Sequence, residues 1–229
     1  MTSTQKLKAT PDSWRDPSLP SEQLRIVDRE LAMLHAGDPP GVYQVVAEAL
    51  KAIPGSNPLT LLDMGCASGY YSEVVSTLVG ERFAYTGADY SEAMVATARE
   101  RYPTVQFFTA NICDIEVPDN AFDVVLSGAV LQHVEEWEKG LEELIRIAGS
   151  YLVLSKTPVW DEPFARTEGE LYAGVPGFWN RFNRPDFLGR LAAAGFRVIY
   201  ERDVYPDRPG KERYMTYTLQ AEGTRSASQ

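Results

Sequence analysis

An acidic side chain and two glycines stand together where an apolar run of the sequence ends. The run at 59–64 contains Asp63, and Gly65 and Gly69 follow it. A helical pattern begins after Gly69, so this stretch predicts a strand, a tight turn and a helix. Glycines let the backbone approach a ligand closely, and a helix start presents unpaired N–H groups. Nucleotide sites of α/β sheets form at such corners, beyond the carboxyl ends of the strands.

The residue types at this turn favour a ligand with an amine and without a phosphate. A dinucleotide fingerprint reads G-x-G-x-x-G, whereas Ala67 stands between Gly65 and Gly69. Asp63 would repel a phosphate and attract a cationic amine. S-adenosylmethionine is such a ligand, because an ammonium, a carboxylate and a sulfonium accompany its adenosine. The helix N–H groups after Gly69 would bind its carboxylate.

Polar groups also follow the next three predicted strands. Asp89 follows the second strand, where an acid can accept hydrogen bonds from both ribose hydroxyls. After the third strand, Asn111 offers a donor and an acceptor to an adenine edge, with Ile112 as an apolar wall. After the fourth, Ser127 and Gly128 can pass their backbone under the methionine portion. Four successive strand ends thus carry groups suited to the same cofactor.

Strand and helix patterns alternate around these residues. Strands are predicted at 59–64, 82–88, 105–109, 122–127 and 151–155, and helices at 70–79, 92–102 and 135–148. This alternation predicts a parallel sheet with helices on both faces and right-handed crossovers. A helix from residue 184 and two β-patterned segments, 196–205 and 213–221, complete the fold with a hairpin at the sheet edge.

Other segments lie outside this alternation. Residues 1–20 are polar and rich in proline, which predicts a flexible arm, and helical patterns predict an N-terminal helical cap over 21–56. The main domain is expected at 57–222, with a polar tail at 223–229. Within it, residues 156–182 are rich in proline, glycine and aromatic side chains. A long insertion of this kind is expected to cover a substrate site.

Four motifs resemble those of the class I S-adenosylmethionine-dependent methyltransferases of the small-molecule type. They read LLDMGCASG at 61–69, GADYSEAM at 87–94, PDNAFDVV at 118–125 and VLQHV at 130–134. The resemblance implies a Rossmann-like, seven-stranded, mostly parallel sheet with an antiparallel last strand, and S-adenosyl-L-methionine as cofactor. Two residues depart from the family pattern, since Ala67 replaces the usual middle glycine and Asn111 stands where an acid is usual.

The residues expected to bind the cofactor lie at these strand ends and in the adjoining helix starts. They are Asp63, Gly65, Cys66, Ala67, Gly69, Tyr70, Asp89, Tyr90, Met94, Asn111, Ile112, Ser127 and Gly128.

One histidine is a candidate base for methyl transfer. The reaction is an in-line displacement, in which the protein mainly supplies alignment and a dry pocket. A base is needed when the nucleophile must lose a proton. His133 follows the fourth strand, and an ordinary histidine pKa near 6.5 suits that task. The competing interpretation is that His133 packs or caps at the start of the next helix.

Aromatic residues of the arm, the cap and the insertion are candidates for binding an aromatic or apolar small molecule. They are Trp14, Tyr43, Trp160, Tyr172, Phe178 and Trp179. About half of them are expected to hold the covering segments to the domain instead. Arg181 and Arg184 are candidates for binding a substrate carboxylate, or for packing at the start of a helix.

Charge and composition narrow the class of partner. The net charge is −10 and the isoelectric point about 4.8, which disfavours nucleic acid and anionic membranes as partners. Two cysteines give no disulfide framework, two histidines predict no metal cluster, and no apolar run suggests a signal or membrane span. A cytoplasmic enzyme with a small-molecule methyl acceptor is expected, its oligomeric state left open. The alternatives are a protein- or RNA-directed methyltransferase, a non-catalytic S-adenosylmethionine-binding protein and a nicotinamide-dependent reductase.

Overall fold

The fold is a twisted sheet with helices on both faces. It is known from a computed structural model, which describes residues 9–170 and 175–223. The strands are β1 (Leu59–Met64), β2 (Phe83–Asp89), β3 (Gln106–Thr109), β4 (Phe122–Gly128), β5 (Ala148–Trp160), β6 (Ala165–Glu170), β7 (Pro176–Asn183), β8 (Phe196–Asp203) and β9 (Arg213–Ala221). The helices are α1 (Leu19–His35), α2 (Gly41–Lys51), α3 (Tyr71–Val79), α4 (Glu92–Arg101), α5 (Trp137–Ile147) and α6 (Arg184–Ala193).

The predicted α/β class is confirmed. Strands β3, β2, β1, β4 and β5 are parallel neighbours in that order, and β9 runs antiparallel between β5 and β8. The sheet has nine strands rather than seven, because the predicted insertion contributes a hairpin, β6–β7. Strand β7 joins the end of β5 through the pairs Val159–Phe182 and Trp160–Asn183.

Alternate residues of the central strands bury their side chains in two separate cores. One core contains side chains packed with α1, α2 and α3, among them Leu61, Val124, Leu126 and Val153. The other contains side chains packed with α5 and α6, among them Leu62, Val125, Leu152 and Leu154. Neighbouring residues of a strand point to opposite faces, so an apolar run fills both cores. Each such side chain stabilises the fold by about 1.5–3 kcal/mol.

The segments predicted to cover the sheet have regular structure. Residues Pro11–Arg15, expected in the flexible arm, form a 3-10 helix, and α1 begins at Leu19. Strand β5 extends to Trp160, well beyond the predicted end at residue 155. The division of the chain into arm, cap, domain and tail remains a prediction. Over the described ranges, none of the helices has the length and apolarity needed to cross a bilayer.

Candidate functional site

A cavity of about 1320 Å³ opens at the carboxyl ends of the parallel strands. Gly65 follows β1, Asp89 ends β2, Asn111 follows β3 and Gly128 ends β4, and all four line it. Lys156, in the second half of β5, lines it as well. The strand order places the cofactor candidates toward β1, β2 and β3, and leaves the other part of the cavity to β5, β7 and β9.

The glycine turn after β1 is held tightly by its neighbours. The N–H groups of Gly65 and Cys66 both donate to the carbonyl of Ala88, at 2.7 and 2.9 Å. Gly65 has a φ of 89°, and a Cβ at that position would overlap Cγ2 of Val130. Only glycine therefore fits there. Ala67 has a φ of 50°, in the left-handed region that a non-glycine residue adopts at a cost.

Asp63 is a buried acid with one unsatisfied oxygen. Its side chain is 1% exposed, and Oδ2 accepts a hydrogen bond of 2.5 Å from the hydroxyl of Tyr85. Oδ1 is buried and has no hydrogen-bond partner among the described residues. Burial, and to a smaller extent the charge of Asp89, raises the pKa of the Asp63 carboxyl to about 7. A buried acceptor without a donor, beside the glycine turn, fits the ammonium of the expected cofactor.

Asp89 is fixed by the backbone on both sides. Oδ2 accepts the N–H of Ala67 at 2.8 Å, and Oδ1 accepts the N–H of Ser91 at 2.9 Å. Burial raises the pKa of the carboxyl, and these backbone N–H groups oppose the rise. Each carboxylate oxygen has a second lone pair, so the pair can still accept ribose hydroxyls. The tip of β2 thus presents an oriented, bidentate acceptor to the cavity.

The 3-10 helix at residues 11–15 covers this corner. The hydroxyl of Tyr90 donates to Oδ1 of Asp12 at 2.8 Å. The guanidinium of Arg15 lies 4.1 Å from the centre of the Tyr90 ring. Trp14, from the same segment, lines the cavity. The N-terminal segment therefore closes the cofactor side of the cavity from outside.

The cofactor candidates divide into residues that line the cavity and residues that support them. The lining residues are Gly65, Ala67, Tyr70, Asp89, Tyr90, Met94, Asn111, Ile112 and Gly128. Asp63, Cys66, Gly69 and Ser127 do not line it. Ser127 instead joins β4 to β1, because its hydroxyl donates to the carbonyl of Met64 at 3.0 Å. Cys66 is buried, and burial raises the pKa of its thiol well above the ordinary value.

His133 lines the cavity at the end of the 3-10 helix Leu131–His133. Nδ1 lies 2.9 Å from the carbonyl oxygen of Phe178, which can only accept, so Nδ1 carries the proton and Nε2 keeps a lone pair. The imidazole contacts the rings of Trp14 and Trp179, with centroids at 5.1 and 4.6 Å. Burial lowers the pKa of His133 to about 4. The ring is therefore neutral at pH 7 with a defined tautomer, and it is a weaker base than the ordinary histidine expected from the sequence.

A buried asparagine of β7 holds the turn that carries His133. Nδ2 of Asn180 donates to the carbonyls of Leu131 and Val134, at 3.0 and 2.7 Å. Its Oδ1 accepts from Nε of Arg166 at 2.7 Å. Asn180 is 1% exposed, and its hydrogen bond to the Leu131 carbonyl is buried. Strand β7 thus fixes both ends of the turn and orients the ring between them.

Two of the six aromatic candidates for substrate binding line the cavity, Trp14 and Trp179. Three do not line it. Tyr43 is fully buried on α2 and donates to Oε2 of Glu30 at 2.9 Å. Phe178 buries its ring and contributes its carbonyl to His133, and Trp160 has its indole nitrogen buried. Tyr172 lies outside the described residues.

Charged and aromatic side chains line the part of the cavity that lies beside β5, β7 and β9, away from the cofactor candidates. They are Lys156, Arg181, Tyr205, Arg208, Glu212 and Tyr214. The sequence indicated only Arg181, because the other residues come together through the pairing of β5 with β9. Arg184, the other cationic candidate, instead pairs with Glu201 at 2.7 Å. Among the described residues, no three His, Cys, Asp or Glu side chains are grouped to hold a metal ion.

Comparison with known proteins identifies the relatives of this chain. Residues 62–153 match the family described as methyltransferase domain. A probable S-adenosylmethionine-dependent methyltransferase of Mycobacterium tuberculosis is 32% identical over 117 residues, which cover 51% of this chain and 41% of that protein. A trans-aconitate 2-methyltransferase of Paracidovorax citrulli is 32% identical over 166 residues, which cover 69% and 59%. The chain thus spans about half the length of the curated relatives it matches.

A solved structure shares the fold over nearly the whole chain. The 1,6-didemethyltoxoflavin-N1-methyltransferase of Burkholderia thailandensis, solved with bound 1,6-didemethyltoxoflavin and S-adenosylhomocysteine, has a TM-score of 0.60. The alignment covers 95% of this chain and 92% of that one at 17% identity. At this identity the similarity shows the fold alone.

Proposed function

Because residues 62–153 of this chain form a class I S-adenosylmethionine-dependent methyltransferase domain, we propose that the protein methylates a small molecule. The observation that carries the proposal is the continuous cavity of about 1320 Å³. Pockets for one small ligand measure about 300–1,000 Å³. The cavity therefore has room for a second small molecule beside the cofactor. A relative named for trans-aconitate also supports a small acceptor.

We assign the cofactor to the β1–β3 part of the cavity. Asp63 does not line the cavity, but it directly precedes the lining residues Met64 and Gly65 and would attract the amine directly or through water, because its buried Oδ1 lacks a donor. Asp89 would accept the ribose hydroxyls, and Asn111 with Ile112 would contact the adenine. S-adenosylmethionine, when bound, supplies a methyl group that its positively charged sulfur makes electrophilic. The backbone near Gly65 can approach the ligand because no side chain stands there.

His133 is the proposed base. Its Nδ1 is committed to the carbonyl of Phe178, so Nε2 takes the proton that an O–H or N–H acceptor loses. Trp14 and Trp179 both contact the imidazole and place apolar surface beside it. An acceptor methylated at carbon can also transfer its proton to Nε2 of His133, if its C–H group is acidic enough. The choice among O, N and C as the methylated atom is open.

The function is tested with isotopically labelled cofactor. Purified protein is incubated with the labelled S-adenosylmethionine and a panel of metabolites, and mass spectrometry reports the methylated products. We expect a labelled small molecule that Asp89→Ala protein does not form, since that variant should not hold the cofactor. Label found only in added protein or RNA would contradict the proposal. Tight binding of S-adenosylhomocysteine without transfer to any acceptor would favour a non-catalytic binding protein.

A further inference from the structure

Two cations and two tyrosines form a connected group at the β5–β9 end of the cavity. The ammonium of Lys156 lies 5.7 Å from the centre of the Tyr205 ring. The rings of Tyr205 and Tyr214 are in edge contact at 5.7 Å, and the guanidinium of Arg208 lies 4.5 Å from the Tyr214 ring. All four side chains line the cavity. We refer to Lys156, Tyr205, Arg208 and Tyr214 as the basic cluster.

The charges of the basic cluster are not neutralised by close ion pairs. Arg181 and Glu212 also line this end, but they pair with each other at 2.5 Å. Within the described ranges, no carboxylate oxygen lies within 4.0 Å of a side-chain nitrogen of Lys156 or Arg208. Glu212 acts on Arg208 only at longer range. In a protein of net charge −10, this end of the cavity is locally positive.

The backbone directs Lys156 into the cavity at a cost. Lys156 has a φ of 54°, in the left-handed region that lysine rarely adopts. It stands where the register between β5 and β9 shifts, between Leu154 and Thr157. Such bulges turn a side chain away from the alternation of the strand and are common beside active sites. Strain of this kind persists where the surrounding structure imposes it, often at functional sites.

The position of Lys156 links the basic cluster to the proposed base. Its positive charge contributes to lowering the pKa of His133. The two groups therefore act on each other electrostatically across the same cavity. A negative charge bound at Lys156 would offset this effect and make His133 a stronger base.

We propose that the methyl acceptor is an anion, and that Lys156 and Arg208 bind its carboxylate or phosphate group. The proposal rests on the proposed function and adds the charge class of the substrate. The anionic group lies against the β5–β9 end, and the rest of the acceptor extends toward Trp179 and His133. Tyr205 and Tyr214 provide rings and hydroxyls beside the anionic group.

The test uses benzoate, phenyl phosphate and the uncharged benzamide as probes. Each is titrated by calorimetry or ligand-observed NMR into protein saturated with S-adenosylhomocysteine. Wild-type protein is compared with Lys156→Met/Arg208→Gln. The matched control is Lys51→Met/Arg197→Gln, which removes the same two charges from exposed sites outside the cavity. Comparing benzoate with phenyl phosphate tells which anionic group is preferred.

We expect wild-type and control proteins to bind at least one anion about tenfold or more tightly than benzamide, because charge-assisted hydrogen bonds are worth at least this much. The Lys156→Met/Arg208→Gln protein should lose that preference and retain its affinity for S-adenosylhomocysteine. Equal binding of benzamide and the anions, binding of no anion, or an unchanged preference in the variant would overturn the proposal.

The screen with labelled cofactor separates this proposal from the proposed function. If the anions bind as expected but no acceptor is methylated, the anion site stands and the function fails. If uncharged acceptors are methylated and the Lys156→Met/Arg208→Gln variant leaves their KM unchanged, the function stands and the anion site fails. An acidic acceptor whose KM rises about tenfold or more in the variant supports both.

Discussion

The backbone N–H of Ala67 donates to Oδ2 of Asp89 across 2.8 Å, from a residue in the left-handed conformation. Ala67 stands in this turn where the family pattern usually has glycine. The turn nevertheless orients Asp89, the acid proposed to bind the ribose. Left-handed backbone costs alanine about 1–2 kcal/mol, whereas a glycine gains flexibility when unfolded. For Ala67→Gly the relief of backbone strain and the greater freedom of the unfolded chain have nearly equal and opposite effects on the free energy of unfolding. A β-branched residue at position 67 would increase the strain, with no opposing effect of this size.

Substitutions at Ala67 test this account. Ala67→Gly should change the free energy of unfolding by less than about 1 kcal/mol and keep the affinity for S-adenosylhomocysteine. Ala67→Val should destabilise the protein by about 1–3 kcal/mol and weaken that affinity. Urea denaturation and calorimetry measure the two quantities. Ala84→Val, the same change at an exposed strand position, is the control. Equal effects of valine at 67 and 84 would contradict the role of the left-handed turn.

Binding of the cofactor should release a proton near pH 6. Without ligand the pKa of Asp63 is about 7, so the carboxyl is mostly protonated at pH 6. An ammonium beside Oδ1 would favour the ionised form and lower the pKa. Affinity for S-adenosylhomocysteine should therefore rise as the pH increases toward 7, and level off above it.

Calorimetry in buffers of different protonation enthalpy counts the released protons. Wild-type protein should release up to about one proton from Asp63 at pH 6, and fewer at pH 8. Asp63→Asn should bind more weakly and lose this part of the release. The assignment of the amine to Asp63 is wrong if the release is the same in wild type and variant.

Protonation of His133 in the unfolded chain should lower the free energy of unfolding as the pH falls. The pKa of His133 in the folded protein is about 4, below the value of about 6.5 expected when unfolded. Between these values the unfolded chain binds the extra proton, so the free energy of unfolding decreases as the pH falls from about 6.5 to 4. His133→Gln should flatten this part of the pH dependence, measured by denaturant unfolding. An unchanged slope would show that another group causes it.

The same variant tests the proposed base. His133→Gln should lower kcat by about 10²–10⁴-fold for an O–H or N–H acceptor, the usual contribution of a general base. Its affinity for S-adenosylhomocysteine should stay within about twofold. His35→Gln, at the exposed histidine that contacts Glu73, is the matched control and should change neither quantity. An unchanged kcat in His133→Gln would show that His133 is not the base and has a structural role.

Asn180 should act on turnover through the position of His133. Asn180→Ala removes the side-chain donor from the carbonyls of Leu131 and Val134, which costs about 1–3 kcal/mol of stability. It should also lower kcat while the affinity for S-adenosylhomocysteine stays the same. Asn183→Ala removes a helix cap from the same strand, so it should cost about 1 kcal/mol and leave kcat unchanged. Similar losses of kcat in both variants would contradict a positioning role.

The sequence predicted the parts of the site that depend on local patterns. The strand at Leu59–Met64 follows from the apolar pattern of the sequence, and the structure has it. Asp89 and Asn111 were selected because each lies at a predicted strand end, and both line the cavity, while their contacts with the cofactor stay predictions. The sequence shows that Ala67 departs from the family's usual glycine, whereas its left-handed conformation is visible only in the backbone of the structure.

The remaining parts depend on contacts between distant segments. Lys156 enters the cavity through a register shift with β9, and no local pattern encodes that shift. Tyr43 was misplaced because α2 buries it, and the periodicity of an apolar helix does not separate a buried ring from one lining a cavity. His133 was identified, but its tautomer comes from the carbonyl of Phe178, which lies 45 residues later.

Strand β7 also determines how the protein can diversify. The hairpin β6–β7 presents Trp179 to the cavity, and the same strand holds the histidine turn through Phe178 and Asn180. With Trp179 as the proposed acceptor contact and His133 as the proposed base, one hairpin would govern both acceptor choice and proton transfer. A chimaera that exchanges this hairpin for that of a relative should then change the substrate and the reactivity of the base in a single step.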